Sequence, residues 1–105
     1  MESRVSAGEL ARLGVTVRIP TTLRAYTDGQ DEVLLEGTDL AALLRRLDDA
    51  FPGIRERVVD ETGAPRRYVN LFVNDELVRE PLPAVHLSAG DVVHILPSVA
   101  GGSLA

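Results

Sequence analysis

The chain contains no cysteine. That single absence removes disulfides, thiolate catalysis and most structural zinc sites. No apolar run approaches the roughly 20 residues that a membrane span needs. The first residues lack a charged-then-apolar signal pattern, so a cytoplasmic location is expected. Histidine is scarce: His86 and His94 are the only two. Neither lies near a serine and an acid in a hydrolase-like pattern, and both read as surface residues. Asp48, Asp49, Asp60 and Glu61 supply carboxylates without the spacing of a metal loop. Basic residues are outnumbered, 11 against 16 acidic, for a net charge of −5. A pI near 4.9 is the wrong sign for a nucleic-acid binder and suits solubility or a basic partner surface. With 105 residues the chain is long enough for one domain and has little room for a deep enzyme cleft. Its 45% apolar and 26% charged content are ordinary globular values, which argues against disorder.

What is present begins with a short mixed segment, residues 1–13, read as a peripheral extension. Gly14 opens an alternation in which Val15, Val17 and Ile19 share one face and Thr16 and Arg18 the other. Pro20 ends that strand. A polar connection, with a helical turn expected near Leu23, passes Asp28-Gly29 into a second strand over 31–36, with Val33 and Leu35 inward. The pair reads as a hairpin. Thr38 is the expected N-cap of the main helix, with Asp39 in its first turn. Leu40, Leu43, Leu44, Leu47 and Phe51 recur at helical spacing, and Phe51-Pro52-Gly53 stops the helix. A short second helix is expected over 54–59. The third strand, 68–73, points Val69, Leu71 and Val73 inward and Tyr68, Asn70 and Phe72 outward. Asn74-Asp75-Glu76 turns into a short strand, 77–79. Pro81-Leu82-Pro83 opposes regular structure. The last strand, 92–96, directs Val93 and Ile95 inward and Val92, His94 and Leu96 outward.

Five strands and one main helix can bury the leucine stripe only by laying the helix across one sheet face. The expected fold is an α+β roll of ubiquitin type. The first and last strands have the strongest apolar alternation and are expected side by side in the middle.

The chain then tapers. Pro97 cannot continue a sheet interior, so the last strand should stop near Leu96. Ser98-Val99-Ala100-Gly101-Gly102 follows, then Ser103-Leu104-Ala105. Extended, the stretch from Pro97 to Gly102 reaches roughly 20 Å. A tail of small residues can enter a narrow active site, and glycine permits close backbone approach. The reactive group is then the carboxylate of Gly102, once terminal. A frayed chain end gives the same pattern. The absence of lysine also bears on this, since all eleven basic residues are arginine. A genome rich in guanine and cytosine accounts for that bias and is the favoured reading. An activated acyl terminus would also gain from having no internal amine to attack it.

Four stretches together carry a resemblance. They are Val17-Arg18-Ile19-Pro20-Thr21-Thr22-Leu23-Arg24, Phe51-Pro52-Gly53-Ile54, Tyr68-Val69-Asn70-Leu71-Phe72-Val73-Asn74-Asp75-Glu76, and Gly90 onward through His94-Ile95-Leu96-Pro97-Ser98-Val99-Ala100-Gly101-Gly102. With these the chain resembles the ubiquitin-like sulfur carriers, the family of ThiS and MoaD. Within it, it looks most like the actinobacterial branch that supplies sulfur for cysteine synthesis. The resemblance implies a ubiquitin-like β-grasp domain over 14–97, with a mixed sheet of about five strands and a tail over 98–105. It implies that an ATP-dependent, E1-like activating enzyme adenylates Gly102, and that a thiocarboxylate then forms there. In the cysteine branch a PLP-dependent cysteine synthase accepts the sulfur, and a metalloprotease releases the product. The protein itself is then a co-substrate without a cofactor, not an enzyme.

That scheme needs a docking surface, for which Phe72 and Leu96 are the candidates. Val99, Ala100 and Gly101 form the tail that carries Gly102. One departure stands out: Ser103-Leu104-Ala105 follows Gly102, so either a protease trims it, as resemblance to precursor-type carriers implies, or the tail is no longer used. Thiamine, molybdopterin or a secondary metabolite are alternative sulfur products. A covalent modifier of other proteins would use the same tail, and a ubiquitin-like interaction module would use only the sheet face.

Overall fold

The computed structural model describes residues 14–97. Five strands form one sheet: β1 (Val15–Arg18), β2 (Glu32–Leu35), β3 (Val69–Val73), β4 (Glu76–Leu77) and β5 (Val92–Pro97). Their spatial order is β2-β1-β5-β3-β4. β1 and β5 run parallel side by side, and every other neighbouring pair is antiparallel. The main helix, α1 (Leu40–Ala50), packs with the single-turn helix α2 (Arg55–Val58) over one sheet face. None of the helices among the described residues is long and apolar enough to cross a membrane.

The core follows from the two periodicities. Leu40, Leu43, Leu44 and Leu47 line one face of α1 and are buried. Val15, Val17, Ile19, Leu71, Val93 and Ile95 are the alternate strand residues that meet them. Each such side chain contributes about 1.5–3 kcal/mol on burial. Val33, Leu35, Val69 and Val73, all expected inward, are only half-buried and pack at the margin of this cluster. For Val33 and Leu35 the reason is position: β2 is an edge strand with one neighbour.

Four local expectations are corrected. The N-cap of α1 is Asp39, not Thr38: its carboxylate accepts from the Ala42 N–H at 2.8 Å, and its backbone is extended. Thr38 is otherwise engaged. Its carbonyl accepts from the Leu87 N–H at 3.0 Å, and the Val85 carbonyl takes the Leu40 N–H, so the chain stays strand-like until Asp39. The fourth strand is Glu76–Leu77, starting one residue and ending two residues earlier than expected. Asn74 and Asp75 both have positive φ, 50° and 71°, and close a two-residue hairpin loop by themselves. Pro81-Leu82-Pro83 is not irregular: Leu82–Ala84 forms one 3-10 turn with Leu82 buried in the core. Its closing bonds use only the N–H groups of Ala84 and Val85, so neither proline is asked to donate. β5 includes Pro97, which occupies its last position opposite Val69.

Asp48 joins the two helices. Its Oδ1 accepts from the N–H groups of Gly53 and Arg55, both at 3.0 Å, as α1 ends and α2 begins. Gly37 allows the connection from β2 to approach α1. A Cβ built there would lie 2.9 Å from Leu43 Cα.

Candidate functional site

The helices leave the opposite face of the sheet uncovered by any helix of the described residues. Strand register places one row of side chains across it: Glu32, Arg18, His94, Phe72 and Leu77, one from each strand in spatial order. The row changes character along its length. At the β2 end, the Arg18 guanidinium lies 3.7 Å from the Glu32 carboxylate, both about half exposed. A pair so exposed adds little stability. At the β4 end, Phe72 and Leu77 are apolar neighbours. The adjacent row pairs Asn70 with Leu96.

Phe72 and Leu96 thus lie on one face, on adjacent strands, one diagonal step apart. Side chains at that offset are within reach of each other when one is aromatic. Both are half-buried, not exposed as expected. Phe72 sits between His94 and Leu77, with a paired strand on either side, whereas Leu96, beyond the last β1 pairing at His94, is paired with Asn70 of β3. The most exposed large apolar side chains of the described residues are Tyr68, at 53%, and Leu77, at 37%. Tyr68, expected to open the third strand, lies in the turn just before β3, and the Arg67 guanidinium stands 5.5 Å from its ring centroid. Alternation had placed Tyr68 outward without marking it as a contact residue. Leu77 became an outward neighbour of Phe72 only through the two-residue hairpin, for which the paired positive-φ residues Asn74-Asp75 were the available signal.

β5 leads directly from this face to the expected tail. Pro97 is exposed at its end, beside Val69 and hence next to Tyr68. Val99, Ala100, Gly101 and Gly102 lie outside the described residues, as do residues 1–13. The other end of β5 is fastened by side chains. Asn74 Nδ2–H donates to Asp91 at 2.9 Å, and Asn74 Oδ1 accepts from the Val92 N–H at 2.9 Å.

A five-stranded mixed sheet in this order, crossed by one main helix, defines a ubiquitin-like β-grasp protein. The chain belongs to the ThiS family, whose family model matches residues 17–102 and so ends on Gly102. It is 45% identical over 93 residues to the sulfur carrier protein CysO of Mycobacterium bovis, covering 86% of this chain and 100% of that protein. The crystal structure of Mycobacterium tuberculosis CysO superimposes with a TM-score of 0.76 at 45% identity, over 81% of this chain and 99% of that one. The Amycolatopsis orientalis BexX/CysO complex contains a chain matching at TM-score 0.76 and 38% identity, over 84% and 99%. The small archaeal modifier protein 1 of Methanosarcina acetivorans matches at TM-score 0.68 and 28% identity, over 86% and 97%.

Proposed function

We propose that this protein is a sulfur carrier that acts through the carboxylate of Gly102 and supplies sulfur for cysteine synthesis. The observation that carries the reading is the coincidence of two boundaries. The family match ends on Gly102, and the domain's central strand ends at Pro97, five positions earlier. The likeness to CysO sulfur carriers across nearly their whole length supports it.

The chemistry runs as follows. Removal of Ser103-Leu104-Ala105 by a metalloprotease frees the Gly102 carboxylate. Within an E1-like activating enzyme one carboxylate oxygen attacks the α-phosphorus of ATP and pyrophosphate leaves. A sulfide ion attacks the acyl carbon of the adenylate. AMP departs with the oxygen that had bridged to it, and the thiocarboxylate remains. The sulfur then passes to an acceptor held on a PLP-dependent synthase. The carrier provides three things: a thin tail, the absence of any lysine that could capture the acyl group, and a face on which partners dock. Phe72 and Leu96 form the centre of that docking face, with Tyr68 and Leu77 at its rim. The A. orientalis relative crystallised with BexX is in keeping with a carrier that works in complexes.

The test compares the full-length chain with a chain ending at Gly102. Each is incubated with ATP, a cognate activating enzyme and a sulfur donor, and intact mass is read for replacement of one carboxylate oxygen by sulfur. The shortened chain should gain sulfur. The full-length chain should gain it only when the pathway's metalloprotease is added. Charging of the untrimmed chain would place the reactive carboxylate elsewhere. Failure of both forms, with an enzyme that charges its other carriers, would refute the carrier reading.

Likeness to an archaeal modifier protein favours one second reading, attachment of the same carboxylate to lysine amines of other proteins. Higher-mass conjugates of a tagged carrier in cell extract, stable to thiols, would support it.

A further inference from the structure

On the helical side of the molecule a cavity of about 170 Å³ opens between α1, α2 and the Leu82–Ala84 turn. We infer that it binds a carboxylate carried on a short apolar stem. The site is independent of the Gly102 chemistry and of the outer sheet face.

Charge and orphaned polarity point to an anion. Arg45 and Arg55 line the cavity, and no carboxylate does. In a chain of net charge −5, two cations thus line one cavity without a lining carboxylate. The single ion pair among the described residues is Arg18–Glu32, so no described carboxylate lies within ion-pair distance of either arginine. Acids do stand nearby: Arg45 and Arg55 share the adjoining surface with Asp48 and Asp49, and the Asp60 carboxylate is taken up by the N–H and hydroxyl of the lining residue Thr62. Asp48 is already committed through Oδ1 to two backbone N–H groups. The decisive atom is Arg55 Nε: it is buried and has no hydrogen-bond partner among the described residues. A buried N–H of a cation without an acceptor is costly, and an incoming oxygen removes that cost.

The remaining lining narrows the ligand. Backbone donors are spent: the Thr62 N–H and hydroxyl both go to Asp60 Oδ1, and the Gly63 N–H goes to the Asp60 carbonyl. A phosphate or sulfate, with three or more oxygens to satisfy, finds only guanidinium donors here. A carboxylate has two coplanar oxygens that match one edge of a guanidinium. The other walls, Ala41, Leu44, Val59, Leu82 and Pro83, are apolar and suit an aliphatic stem. Two sources offer this chemistry: a free small aliphatic acid, and a glutamate side chain of a partner protein.

The test is a titration of the full chain followed by ¹H–¹⁵N spectra, reading Arg55 Nε–H and the amides of Thr62 and Gly63. The probes are sodium isovalerate, sodium sulfate, and a short glycine-flanked glutamate peptide with blocked ends. Saturable shifts are expected at all three reporters with isovalerate or the peptide, and the tighter of the two assigns the source. Arg55→Lys keeps the charge but loses Nε–H and should weaken binding by at least roughly tenfold, because a point charge cannot replace the planar fork. Arg45→Met, at the exposed rim, gives an independent loss if Arg55→Lys perturbs folding. Absence of saturable shifts with both carboxylate probes overturns the site. Sulfate binding as tightly as isovalerate overturns the choice of ligand. An unchanged affinity in both variants overturns the role of the arginines.

Discussion

Asn74 and Asp91, 17 positions apart in sequence, are joined side chain to side chain at 2.9 Å. Each also serves the backbone of the other's segment or its own. Asn74 Oδ1 accepts from the Val92 N–H, and Asp91 Oδ2 from the Ser88 N–H. The β3–β4 hairpin is thereby tied to the start of β5. Asn74 can do this while in the left-handed region, φ 50°, which asparagine tolerates better than most residues. Asn74→Ala should lower stability by about 1–2 kcal/mol through lost hydrogen bonds and a worse fit to that φ. In urea unfolding, the double variant with Asp91→Ala should lose less than the sum of the two single losses. Full additivity would show that the contact does not couple the two segments.

The β2–α1 connection offers a separate test of packing. At Gly37 the constraint is space, since the added Cβ would meet the backbone of Leu43 and not a yielding side-chain tip. Gly37→Ala should therefore destabilise by about 1–3 kcal/mol, as overpacking does. Leu43→Ala, which empties the site from the other side, should cost about 2–5 kcal/mol. Thermal melts indistinguishable from the parent for either variant would mean that α1 sits farther from this connection than described.

How much of this was legible in the sequence differs by element. Val15, Val17 and Ile19, and Val93 and Ile95, announce central strands because both neighbours and the helix reward every second apolar residue. Leu40, Leu43, Leu44 and Leu47 announce the helix face for the same reason. The N-cap was misplaced by one residue because Thr38 and Asp39 are both good caps. The choice was made by backbone bonds to Val85 and Leu87, more than 40 residues away in sequence. The burial of Leu82 between two prolines was hidden likewise, since the pull came from the core and not from local preference. For the candidate site, alternation gave the outward direction of Phe72 and Leu96. It did not give their half-burial, which for Phe72 reflects the paired strands on either side.

Asp60 provides a pH signature. The Thr62 hydroxyl, at 2.6 Å, is the main cause of its lowered pKa, with the Thr62 N–H next. Desolvation acts against them, and the Ala64 N–H and the charge of Arg66 add lesser lowering. Because these groups favour the ionised form, the folded pKa lies below the unfolded one. The stabilisation is then complete above the ordinary carboxylate range and is lost as pH falls through the lowered folded value. Carboxyl ¹³C titration should place the Asp60 midpoint below the ordinary aspartate value. In Thr62→Ala the midpoint should move up. A midpoint unmoved by that change would dissociate the shift from the Thr62 contacts.

If the proposed function holds, docking on the outer face depends on Phe72 and Leu96 together with residues 98–102. Both project from the face opposite the core, so changing them should spare folding. Leu96→Arg sets a charge on the central strand, where a partner would have to desolvate it. Phe72→Ala removes the aromatic flanked by His94 and Leu77. Apolar and aromatic residues at the centre of an interface carry a disproportionate share of its affinity, while rim residues contribute less. Each single change should therefore weaken binding to the activating enzyme by about tenfold or more, equivalent to at least about 1.4 kcal/mol. Arg18→Ala, in the charged half of the same row, should have a smaller effect. The measurement is calorimetric titration of the chain ending at Gly102, with circular dichroism melts to verify the fold. Unchanged affinity for Phe72→Ala/Leu96→Arg, with the fold intact, would leave the tail alone as the determinant of partner recognition.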